Sequence, residues 1–238
     1  MMMGCSWACG EWGHGKDGEY QVLHPGTQQY LSDAGHSVTS IAEGGCSNWA
    51  QLDRISPHHA LQRDRHSGGH LADADVLLWF LTDPFRDIHA RMVNTMEMPR
   101  TLAEWHLRRR ELLEASFDSM RRLAGDRAVW LVGGVGEIPT WVPRRHPGWR
   151  VIVPDLLRWL LPASRVSATH LNRIWRYGDC DAELLDYHEI EEQRQARFRW
   201  RAEHRPDSEE HRLFWPDGGH PNREAHRLLT ERLILPSL

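Results

Sequence analysis

Lysine is almost absent from this chain: Lys16 is the only one, and arginine carries the remaining positive charge. The arginines scatter instead of forming a stripe, and the net charge is −4 with histidine neutral. No global field therefore draws the protein to nucleic acid or to an anionic surface, and neither is expected as a partner. Long apolar runs are missing as well. None approaches the ~20 residues that a membrane-crossing helix needs. Cysteine is scarce, with only Cys5, Cys9, Cys46 and Cys180. Met1-Met2-Met3 leads directly into the first motif with no hydrophobic leader, so reduced thiols and a cytoplasmic location are the expectation. Cys5-x-x-x-Cys9 with His14 nearby lacks the paired spacing of a zinc knuckle, and no metal or other cofactor is expected. Gly133-Gly134-Val135-Gly136 lacks the lysine and the hydroxyl residue of a phosphate-binding loop. No serine stands in a Gly-x-Ser-x-Gly elbow, which disfavours an α/β-hydrolase.

What is present describes one ordinary globular domain. Residues 1–238, 40% hydrophobic and 26% charged, suffice for a single core. Twelve tryptophans and 16 histidines are the compositional excess; the tryptophans are expected to fill the core and to wall a cleft. Five β-rich runs follow one another: Met1 to Cys5, Ser37 to Ile41, Val76 to Leu81, Ala128 to Val132, and Val151 to Val153. The third is apolar at every position, as a strand covered on both faces should be. Helical patterns fill the intervals: Gly26 to Ala34, Ser47 to Leu61, Thr101 to Ala124, Glu183 to His204 and Pro221 to Leu235. Strands alternating with helices predict an α/β fold with a five-stranded parallel sheet. The stretch 144–212 is read as holding a lid or a substrate-specific insertion.

Two short motifs carry chemistry. Gly4-Cys5-Ser6-Trp7 closes the first strand, and Asp217-Gly218-Gly219-His220 precedes the last helix. A serine hydroxyl becomes a useful nucleophile only when a base takes its proton. His220 can be that base, and Asp217 can hold the imidazole in the productive tautomer. Ser6, Asp217 and His220 are therefore the candidate triad. Gly45, in the Gly44-Gly45-Cys46-Ser47-Asn48 loop after the second run, can turn its N–H toward a developing oxyanion, and Asn48 can add a side-chain amide. Thr82 follows the third strand at the same end of the sheet.

Read together, these blocks resemble the SGNH (GDSL-like) hydrolase family. Gly4-Cys5-Ser6 stands where that family carries Gly-Asp-Ser, Gly45 where it has its oxyanion glycine, and Asp217-x-x-His220 where it has its terminal acid and base. The Gly-Cys-Ser-Trp opening with Gly10-Glu11-Trp12 is similar to a branch found among bacterial and phage proteins. The family's Gly-x-Asn-Asp block reads Phe80-Leu81-Thr82-Asp83 here, so its oxyanion asparagine is replaced, with Thr82 or Asn48 as the substitute donor. The resemblance implies a three-layer α/β/α, flavodoxin-like fold. It implies a serine esterase that cleaves a small or carbohydrate-linked ester through an acyl-enzyme, with the backbone N–H groups of Ser6 and Gly45 at the oxyanion. The competing expectation is a binding module that kept the fold and lost efficient turnover.

Overall fold

The computed structural model describes residues 1–56, 71, 73–82, 87, 102–134, 138–160, 209–214 and 220–238. Four parallel strands form the central sheet: β1 (Met2–Gly4), β4 (Val76–Leu81), β5 (Ala128–Gly133) and β6 (Trp149–Val153), in the spatial order β1-β4-β5-β6. A separate antiparallel hairpin joins β2 (Glu11–His14) to β3 (Tyr20–His24).

Strand alternation divides the core into two halves. Leu77, Trp79 and Leu81 of β4 and Val129 and Leu131 of β5 face one apolar cluster. That cluster is completed by α3 (Asn48–Ile55), α4 (Leu102–Ala124) and α5 (Val142–Arg145), which contribute Leu52, Ile55, Phe117, Met120 and Val142. Leu78, Phe80, Trp130 and Val132 face the opposite cluster. It is covered by α1 (Ser6–Cys9), α2 (Thr27–Asp33), α6 (Leu156–Leu160), α7 (Glu209–Phe214) and α8 (Arg223–Leu229). Helices thus cover both faces of the sheet, and each fully buried Leu, Val or Phe stabilises it by about 1.5–3 kcal/mol. Most of the described tryptophans serve this packing. Trp79, Trp141 and Trp149 surround Phe117 edge-on, at ring separations of 5.7 to 5.8 Å.

The second expected strand is a correction. Ser37 to Ile41 runs beside β1 but makes a single parallel bridge, Ser40 to Met2, flanked by hydrogen bonds from Met2 N to Thr39 O and from Ile41 N to Met2 O. Only three residues of β1 are available to it, so the ladder ends where it begins. Among the described residues the sheet therefore has four strands, and the expected fifth is represented by that single bridge. The hairpin is the converse case, a pair of strands that no run of alternating apolar residues announces. Its turn is closed by Gly18 N donating to Gly15 O, and Asp17 Oδ1 accepts from Glu19 N.

The helical expectations that fall on described residues are met with shifted ends. α2 and α4 match their patterns closely, and Gly125, at φ +59°, ends α4 as a left-handed cap. α3 starts one residue late because Ser47 is its cap, with Oγ accepting from Ala50 N. The final helix passes after α8 into a π turn over Thr230–Ile234 and a tighter turn over Leu235–Ser237, where Pro236 stops it. Within 144–212, β6 and α6 belong to the sheet and its covering layer; residues 161–208, including the expected helix from Glu183 to His204, lie outside the described residues. Among the described residues, no helix is long and apolar enough to cross a membrane.

Candidate active site

Ser6 sits where the chain leaves β1 and turns at once into α1. The turn needs Gly4. A Cβ there would lie 2.5 Å from the Ala8 Cβ and 2.7 Å from the Phe80 Cβ, so no larger residue allows helix and strand to approach so closely. Ser6 is buried, and its Oγ lies 2.8 Å from Nε2 of His220. The two residues are 214 positions apart, so it is the packing of the sheet ends that brings them together.

The chain just beyond His220 is anchored by Asn222. The Asn222 side chain caps α8 through Oδ1 accepting from Ala225 N, and its Nδ2 donates to Arg212 O at 2.7 Å. Its own N–H donates to Leu213 O, so two bonds tie the residue two after His220 to the end of α7 and a third ties it to the start of α8. Asn222→Ala should cost about 1–2 kcal/mol, read as a lowered urea midpoint with an unchanged slope.

The hairpin supplies a wall that the sequence reading missed. Trp12 Nε1 donates to Ser6 O at 2.9 Å, and the Trp12 ring lies 5.6 Å from the His220 ring and 5.5 Å from Tyr20, stacked on the latter. Tyr20 Oη lies 3.2 Å from Nδ1 of His220. The available signal was the alternation of Trp12 and His14 with Tyr20 and Val22 across a Gly15–Gly18 turn.

Glu11 anchors the base of the hairpin. It is buried, and both its oxygens accept from the Arg223 guanidinium, while Oε2 also accepts from Arg223 N at 2.9 Å. Burial alone would raise the Glu11 carboxyl, but the Arg223 side-chain and backbone bonds outweigh it and hold the group below its ordinary value. Beneath this layer His226 is fully buried, with Nδ1 3.0 Å from Thr27 Oγ1. Desolvation brings its pKa down to about 4, so the ring is neutral at physiological pH.

The expected oxyanion residues divide into two groups. Gly45 adopts φ +75° in a turn closed by Cys46 N donating to Glu43 O, a conformation glycine favours. That turn lies at the serine end, since Glu43 N donates to Gly4 O and Gly44 packs on the Trp12 ring. Asn48 and Thr82 are engaged with each other. Asn48 Nδ2 donates to Thr82 O at 3.0 Å, and Thr82 N donates to Asn48 Oδ1 at 2.9 Å; both residues are fully buried. The pair therefore clamps the end of β4 to the start of α3. Asp217 lies outside the described residues.

The described cysteines offer little competing chemistry. Cys5 and Cys46 are buried thiols, and burial pushes the Cys9 thiol up to about 12, where it stays protonated. Among the described residues, no group of three or more His, Cys, Asp and Glu side chains gathers as a metal site. A cavity of about 430 Å³ lies at the opposite end of the sheet, lined by Met1, Val38, Asp75, Val76 and Trp130 at the amino ends of the strands. It has no part in the Ser6 constellation, because sites on open parallel sheets form beyond the carboxyl ends.

No protein-family profile matches the chain, and no curated protein does. Among solved structures, the lipase Lip_vut3 from goat rumen metagenome is similar over 97% of this chain and 92% of its own, at 12% identity and a TM-score of 0.47. A likeness at that level assigns no activity to this chain.

Proposed function

We propose that the protein is a serine ester hydrolase of the SGNH type. The single observation that carries this reading is the 2.8 Å contact between Ser6 Oγ and His220 Nε2 at the carboxyl end of the sheet. Ser6 Oγ attacks the ester carbonyl carbon while its proton passes to Nε2 of His220. The tetrahedral oxyanion accepts hydrogen bonds from the backbone N–H groups of Ser6 and Gly45. Collapse expels the alcohol, which takes the proton from His220 and leaves an acyl-Ser6 ester. Water then attacks that ester with His220 as base, releasing the acid and restoring Ser6. Asp217, on the spacing of its motif, orients His220 and stabilises the imidazolium.

The substrate we infer is a small or carbohydrate-linked ester, met in the cytoplasm by a single domain spanning 1–238. A flavodoxin-like layout, with Ser37 to Ile41 as a reduced outer segment beside the four strands, draws on the Ser40–Met2 bridge. A second reading, a fold that binds without efficient turnover, draws on the engagement of the Asn48 amide with Thr82.

A fluorophosphonate probe separates the two readings. Hydrolase chemistry predicts a covalent adduct on Ser6 in the intact protein, located by peptide mass, absent in Ser6→Ala and strongly slowed in His220→Ala. Folded wild-type protein that gives no adduct overturns the hydrolase reading.

A further inference from the structure

Hairpin β2–β3 is an isolated two-stranded unit, which by itself is marginally stable in water. It is docked at its base by two attachments: Trp12 Nε1 donates to Ser6 O, and Glu11 takes both the guanidinium and the N–H of Arg223. One attachment falls on the candidate nucleophile and the other three residues beyond the candidate base. A docked hairpin therefore fixes its own position relative to both. The register then decides what it presents. Tyr20 pairs with His14 and lies diagonal to Trp12 on the same face, so the two rings stack and the phenol is carried to His220.

The consequence is chemical. His220 has Ser6 Oγ on Nε2 and Tyr20 Oη on Nδ1. A base that accepts the Ser6 proton needs a free lone pair on Nε2, which requires the ring proton on Nδ1. Taking the hydrolase reading as its ground, we propose that Tyr20 is a positioning residue: its phenolic oxygen accepts a hydrogen bond from Nδ1–H of His220 and holds the imidazole in the tautomer that can deprotonate Ser6. A phenolic oxygen is neutral, so it selects tautomer and orientation without the charge that a carboxylate adds for the imidazolium. Tyr20 thus shares the orienting task proposed for Asp217, which alone adds charge for the imidazolium, and the hairpin makes the readiness of the base depend on its own docking.

Tyr20→Phe tests this cleanly. It removes one hydroxyl from a residue that is 48% exposed and keeps the ring that stacks on Trp12. Turnover of an aryl ester should fall about tenfold in kcat with KM unchanged, as expected for one hydrogen bond that does not touch substrate. The ¹⁵N spectrum of His220, assigned by difference from His220→Gln, should show the Nδ1–H tautomer in the wild type and a mixture in Tyr20→Phe. A purely structural tyrosine would leave that spectrum unchanged, and an unchanged spectrum overturns the proposal. So does a wild-type ring protonated on Nε2 alone. The spectrum needs no turnover, so a protein that resists the fluorophosphonate probe but shows the tautomer shift would sink the hydrolase reading and keep the Tyr20–His220 bond.

Discussion

On the proposed hydrolase mechanism, ester hydrolysis by His220→Ala is expected to fall on the order of 10⁴- to 10⁶-fold in kcat, with the unfolding midpoint nearly unchanged. The size follows from what the ring does. Without a base, the Ser6 hydroxyl at neutral pH is almost wholly protonated and a poor nucleophile. The backbone donors proposed for the oxyanion would still act in the variant, so a residual rate above that in water is expected to survive. Stability changes little because His220 is only half-buried and its contacts lie at the surface end of the site. Ser6→Ala should match this loss, and the double variant should lose no more, because residues that act as one unit are not additive. Steady-state kinetics on a short aryl ester measures all three. Additive losses would mean that Ser6 and His220 work separately, and a loss below tenfold would remove His220 from the proton path.

The sheet could be read from the sequence where burial imposed a pattern. Val76 to Leu81 and Ala128 to Gly133 are apolar at nearly every position because both faces are covered, and their boundaries emerge almost unchanged. Short strands carry less pattern. Ser37 to Ile41 has the right composition but only a three-residue neighbour, and pairing length is a property of the partner, not of the segment. The hairpin was obscured for another reason. Glycines and charged residues interrupt its alternation, and most of its β3 residues are exposed, so hydrophobicity gave no cue. The meeting of Ser6 and His220 was legible because the two motifs close the first strand and precede the last helix, positions that a parallel sheet brings to one end. Tyr20 was not. Its role depends on where an antiparallel register aims one side chain, which no spacing along the chain encodes.

Asn48→Ala is expected to destabilise the fold by about 2–5 kcal/mol, the second large effect. The substitution deletes two hydrogen bonds at once, and both partners belong to the main chain of Thr82. Thr82 is fully buried, so its N–H and C=O would be left without water, each at about 1–3 kcal/mol. For a chain of this size the melting temperature should drop by roughly 5–20 °C. The same variant decides between the two roles open to this residue. A clamp predicts a large loss of stability and, well below the melting point, a moderate fall in kcat as the neighbouring Gly45 turn loses its support. An oxyanion donor predicts the reverse: little change in melting and a 100- to 1,000-fold loss of kcat. Both Asn48 amide groups face Thr82, and the hydrogen bonds are of ordinary length, 2.9 and 3.0 Å, so stability should carry the larger effect. Asn48, which the sequence offered as a substitute for the family's oxyanion asparagine, would then belong to the scaffold, and the proposed oxyanion would be left to the backbone of Ser6 and Gly45.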